Sequence, residues 1–165
     1  MEQVTTRERL VRWEDPAASA AAIRELSGLD GMRLVRDGKL PPPPIAVLMN
    51  FRIAEVDPGR VVFEATAGEE HYNPIGVVHG GFAMTLFDSA MGCAIHTMLP
   101  QGVGYTTTDV QVRLIRGITK DTGVVRCEGV ALHVGRTTAV AEAKLYDRDG
   151  KLLGAATTGC AVFRP

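Results

Sequence analysis

From Val78 to Met98 the chain carries a single formal charge, Asp88, in a run that otherwise includes Phe82, Ala83, Leu86, Ala90, Met91, Cys93, Ala94, Ile95 and Met98. Apolar residues on nearly every side mark a helix, over about 79 to 98, that is buried all round. Such a helix has to be covered by the rest of the chain, and what flanks it is β-type sequence. Before it come residues 49–56, a turn at Asp57-Pro58-Gly59 and residues 60–67, which read as a hairpin. After it come residues 105–115, 124–134, 137–146 and 152–163, with turn signals at Lys120-Asp121-Thr122-Gly123, Gly135 and Asp147-Arg148-Asp149-Gly150. These four runs predict an antiparallel meander. The expected fold class is α+β, a curved antiparallel β-sheet wrapped around a central α-helix.

A length of 165 residues suits one domain with an appendage. The expected division is residues 1–44, an N-terminal helical extension with a Pro-rich connector, and residues 45–165, the sheet-and-helix domain. Within the extension, Asp15 and Pro16 open an extra N-terminal helix over residues 16–36, with Ala20, Ile23, Leu26 and Leu29 along it. Pro41 to Pro44 then favour an extended polyproline II connector. Basic and acidic residues balance in this extension, and one helix cannot make a helix-turn-helix. Across the chain 18 Lys and Arg face 19 Asp and Glu, so no field gathers phosphate backbones, and no nucleic-acid partner is expected. No membrane partner is expected either: Pro100, Gln101, Gly102 and Gly104 interrupt the charge-poor stretch after Asp88, and the N-terminus lacks the apolar run of a secretory signal. Cys93, Cys127 and Cys160 are widely spaced, without CxxC or a Cys/His clip. They predict reduced thiols, a cytoplasmic location and no metal site.

The chemistry concentrates between Asn73 and Asp88. Gly80 and Gly81 stand where the central helix begins, and paired glycines let a ligand approach the unpaired amides of the first turn. At the positive end of the helix dipole those amides suit developing charge on a carbonyl oxygen; close packing of helix on strand would explain the same pair. Asp88 is the only charge between Glu70 and Asp109. Buried without a partner it would cost several kcal/mol, so either a catalytic role, a structural hydrogen bond or a wet stripe has to account for it. Eight residues separate Gly80 from Asp88, ~12 Å along a helix, too far for both to touch one carbonyl. Two copies with antiparallel helices about a two-fold axis would bring the Gly80 end of one to Asp88 of the other.

Asn73, His79-Gly80-Gly81, Asp88, the 105–116 strand and the His133-Val134-Gly135-Arg136 turn together resemble the hotdog-fold acyl-CoA thioesterases, in their phenylacetate-pathway (PaaI-type) branch. The resemblance covers about residues 45–163. It implies hydrolysis of an acyl-CoA, aryl-acetyl or medium-chain, to free acid and CoA, without a cofactor, by a homodimer or homotetramer with sites at the subunit interface. In that scheme the thioester carbonyl sits on the amide of Gly80, with or without that of Gly81, while Asp88 of the other subunit acts as general base or nucleophile. Asn73 orients substrate or water, and a hydroxyl of the 105–108 strand, Thr107 foremost, holds the water. His79, Gly81, Phe82, Thr106 and Arg136 are the substrate-binding candidates. Related enzymes carry Glu in place of Asp88, and some a Thr one turn later, where this chain has Gly92.

Other readings are weaker. His79 lacks an evident orienting partner for a proton shuttle, and His71, His96 and His133 lack ligand spacing to one another. A hotdog hydratase would be expected to place His five residues after the Asp, where Cys93 stands. Ser19, Ser27 and Ser89 lie in no GxSxG, and no GxGxxG, P-loop or HExxH appears. A non-catalytic acyl-CoA-binding hotdog protein is the remaining alternative, and retention of Asp88 speaks against it.

Overall fold

The computed structural model describes residues 5–164; residues 1–4 and Pro165, at the outer ends of the two expected segments, lie outside it. Helix α1 (Pro16–Arg24) starts as its sequence predicts, Asp15 Oδ1 accepting the Ala17 N–H at 2.9 Å with proline in the first turn. It does not run on to residue 36. A second helix, α2 (Gly28–Arg36), is capped by Ser27, whose hydroxyl accepts the Asp30 N–H at 3.2 Å. The break has a packing cause. Gly28 N–H donates to the Leu99 carbonyl at 3.0 Å, and a Cβ on Gly28 would stand 1.8 Å from the carbonyl oxygen of His96. That docking needs a separate helix with its own N-terminus at Gly28. The four prolines also differ from a uniform extended connector: Pro44 opens a short helix, α3 (Pro44–Leu48), where first-turn proline is tolerated.

The sheet has six antiparallel strands, β1 (Phe51–Asp57), β2 (Arg60–Thr66), β3 (Gly104–Leu114), β4 (Val124–Val134), β5 (Thr138–Tyr146) and β6 (Leu152–Phe163). Their order is β1-β2-β4-β5-β6-β3. Only β4, β5 and β6 form the expected meander, because β3 pairs with β6 instead of β4. The central helix α4 (Gly80–His96) lies between β2 and β3 in sequence and packs across β2 to β6, so β3 emerges beyond it and takes the free edge of β6. Phe82, Leu86, Phe87, Ala90, Met91 and Ile95 of α4 join Val61, Val125, Ala141 and Leu145 of the sheet in one buried cluster. This is the hotdog arrangement, a sheet wrapped on one helix. Among the described residues no helix is long and apolar enough to cross a membrane.

The helix is not buried all round. Met84 and Asp88 are exposed, and Gly81, Thr85 and Ser89 beside them are half-buried. The sheet covers one side of α4 and leaves this stripe open, so in a single protomer Asp88 escapes the desolvation cost expected of an enclosed carboxylate.

Candidate active site

The N-terminus of α4 is organised by His79. Its Nδ1 accepts the Gly81 N–H at 2.8 Å, making it the N-cap, and its own N–H donates to the His71 carbonyl at 2.8 Å. His71 is held in turn, Nδ1 accepting the Gly68 N–H at 3.0 Å while the ring packs 4.9 Å from Phe82. The Gly81 amide is therefore occupied, whereas the Gly80 amide has no acceptor among the described residues. Beside Gly80 lies a cavity of about 250 Å3 lined by Asn73, His79, Ala83, Leu114 and Arg116, among others. Asn73 Oδ1 accepts the Ile75 and Val77 N–H groups at 3.1 and 3.2 Å, folding its loop into an Asx turn and leaving Nδ2 free to donate.

Asp88 belongs to a different cavity, of about 560 Å3, shared with Ser89, Cys93, Tyr105 and Thr107. Thr107 donates its hydroxyl to Asp88 Oδ1 at 2.8 Å. The register of β3 against β6 slips between Thr107 and Asp109, a bulge that re-aims side chains along the edge strand. Thr108, the extra residue, donates its hydroxyl to the Gly159 carbonyl at 2.9 Å instead. Burial pushes the Cys93 thiol up to about 12, helped by the Asp88 charge, so Cys93 is a neutral thiol and no rival nucleophile at neutral pH. Burial also keeps the Tyr105 phenol protonated.

Tyr105 enters the sequence reading only as one of the hydroxyls of the 105–108 strand, and its place against α4 has a further mark. A Cβ on Gly92 would meet the Tyr105 hydroxyl at 2.8 Å, so the glycine at this position of α4 leaves the space that the ring occupies. Of the remaining candidates, Thr106 is exposed on β3 and Arg136 is exposed in the β4–β5 turn, its carbonyl accepting from Arg164 Nε at 3.2 Å. Phe82 is 2 % exposed and packs in the core. None of these three lines either cavity. One protomer thus places Asn73, His79 and Gly80 at one cavity and Asp88 and Thr107 at another, with Gly80 and Asp88 ~12 Å apart along α4.

A six-stranded antiparallel sheet in this order, wrapped on one long helix, defines a hotdog fold. The model of the thioesterase superfamily matches residues 75–153. A protein of Saccharolobus solfataricus named as an esterase is 31% identical over 104 residues, covering 63% of this chain and 72% of its own. The 1,4-dihydroxy-2-naphthoyl-CoA hydrolase of Listeria monocytogenes is 26% identical over 106 residues, covering 64% and 84%. Among solved structures, the E. coli PaaI protein of the phenylacetic acid degradation operon superposes with a TM-score of 0.67 at 18% identity, over 73% of this chain and 85% of that one. This chain belongs to the thioesterase superfamily, as a hotdog-fold thioester hydrolase.

Proposed function

We propose that the chain hydrolyses a CoA thioester, aryl-acetyl or medium-chain, at sites built by two copies together. The observation that carries this reading is the division of one reaction's parts between two cavities of one protomer: a free Gly80 amide in one, the Asp88–Thr107 pair in the other. The open stripe of α4 around Met84 and Asp88 and the exposed apolar residues Val110, Leu114 and Ile115 along edge strand β3 and just beyond it support a second copy packing there. The homodimer, alone or doubled into a tetramer, would have 45–165 as its hydrolase domain and 1–44 as an extension, and would work in the cytoplasm.

In this mechanism the thioester oxygen lies on Gly80 N–H, where the positive end of α4 stabilises the charge that develops on it. Asn73 Nδ2 orients the substrate. Asp88 of the other subunit either takes a proton from water as it adds to the carbonyl, or itself adds to give an anhydride that water opens. Thr107 holds the carboxylate in position. In both routes a tetrahedral species expels CoA as thiolate, which takes up a proton; addition of water leaves the free acid directly, whereas addition of Asp88 leaves the anhydride, from which water releases the free acid and restores the carboxylate. Arg116, at the Gly80 cavity, and Arg136, on the surface, are the candidates for CoA phosphates. The Listeria relative, by its name a hydrolase of an aromatic acyl-CoA, supports the substrate class. A thiol-release screen over acetyl-, phenylacetyl-, benzoyl- and medium-chain CoA esters tests it. Turnover of at least one is expected; tight binding without turnover of any would make the chain an acyl-CoA-binding protein.

A further inference from the structure

The Asp88 cavity continues away from the carboxylate to a wall made by the N-terminal extension. Ala20 and Ile23 of α1, Met32 and Val35 of α2 and Pro42 of the connector line it together with Phe63 of β2. The α2 part of the wall belongs to the packed fold, and α1, which has no buried residue, lies against α2. Gly28 is seated against the end of α4, Met32 is 8 % exposed in the main core, and the bare Gly31 leaves room for Ile23, whose Cγ2 would lie 3.5 Å from a Cβ there. The two cations at the rim are already paired, Arg36 with Asp37 and Arg52 with Glu64. What remains is an apolar chamber with its polar end at Asp88 and Thr107.

Chambers for drug-sized ligands span about 300–1,000 Å3. At about 560 Å3 this one far exceeds an acetyl group, and an apolar void left unfilled forfeits its dispersion contacts. We propose that residues 16–43 are the specificity wall of the acyl pocket, selecting a large apolar acyl group over acetyl, with the small side chain of Ala20 on the lining leaving the room. This rests on the assignment of Asp88 as the catalytic carboxylate.

The test is Ala20→Phe, which puts a ring into the chamber from a position on α1 that bears no core packing. The ratio of kcat/KM for decanoyl-CoA over acetyl-CoA should fall at least tenfold, while a merely damaged enzyme would lose both alike and keep the ratio. An unchanged ratio overturns the proposal. If Ala20→Phe unfolds, Ala20→Leu is read the same way. Calorimetric titration with decanoate separates this proposal from the assignment beneath it. Should the unsubstituted protein cleave no thioester, the catalytic reading falls, yet a tenfold weaker decanoate affinity in Ala20→Phe would still establish the wall. Equal affinity in both proteins, or no decanoate binding by either, overturns it.

Discussion

Asp88 accepts one hydrogen bond, from Thr107 to Oδ1, and its Oδ2 has no partner among the described residues. A carboxylate so held is oriented while keeping a free oxygen for a proton or for attack. Asp88→Asn keeps the volume and loses that oxygen's basicity, so kcat should fall by ~10² or more with folding intact, the scale of lost general-base catalysis. A well-folded variant with nearly unchanged kcat would return Asp88 to a structural role. Thr107→Val removes a bond to a charged acceptor, worth roughly 1.5–3 kcal/mol, and kcat should drop about tenfold or more while Thr107→Ser recovers most of it. Similar rates for the Val and Ser variants would mean that the hydroxyl does not position Asp88. Both residues are legible from sequence, Asp88 as the lone charge in an apolar run and Thr107 as one of three consecutive hydroxyls on a strand. His79 capping Gly81 is not, because whether a ring nitrogen turns back to its own helix is decided by its rotamer and by the backbone of 68–71.

The elements show the same split between what pattern reveals and what contact decides. Apolar runs and turn residues mark α4 and all six strands closely, but no local signal says that β3 passes β4 and pairs with β6. Nor does periodicity show that 16–36 is two helices, since the break serves a contact with residues 96–99, distant in sequence. Gly28→Ala tests that contact: a methyl 1.8 Å from the His96 oxygen must displace α2, at about 1–3 kcal/mol, the usual cost of overpacking. Denaturant unfolding should show the loss, and a variant as stable as the unsubstituted protein would mean that α2 is not held there. His96, at the same seam, has its proton affinity lowered by burial from the ordinary 6.5. The unfolded chain then binds a proton that the folded chain resists, so this contribution is complete above about 6.5 and is lost as pH falls below it. Thermal unfolding between pH 7.5 and 5 should therefore fall more steeply in the unsubstituted protein than in His96→Gln; parallel curves would remove His96 from the account.

At the scale of the whole molecule the question is whether one chain can complete a site. Along α4 the Gly80 amide and the Asp88 carboxylate are ~12 Å apart, and no bending of a regular helix within the core brings them to one carbonyl. An antiparallel neighbour would turn this mismatch into two equivalent sites, each taking Gly80 from one copy and Asp88 from the other. That arrangement makes a prediction a self-contained site cannot imitate. Asp88→Asn chains keep a working Gly80, and Gly80→Val chains, in which the added side chain meets Leu114 and crowds the amide, keep a working Asp88. Each variant alone should be nearly inactive. Unfolded together in equal amounts and refolded, half of the dimers would be mixed and each would hold one intact site, so about a quarter of the unsubstituted activity should return, by two-fold pairing alone. Sedimentation should show no species smaller than a dimer at micromolar concentration. Activity that stays at the sum of the two inactive variants after refolding, with mixed dimers present, would place the whole reaction within one chain and undo the shared site.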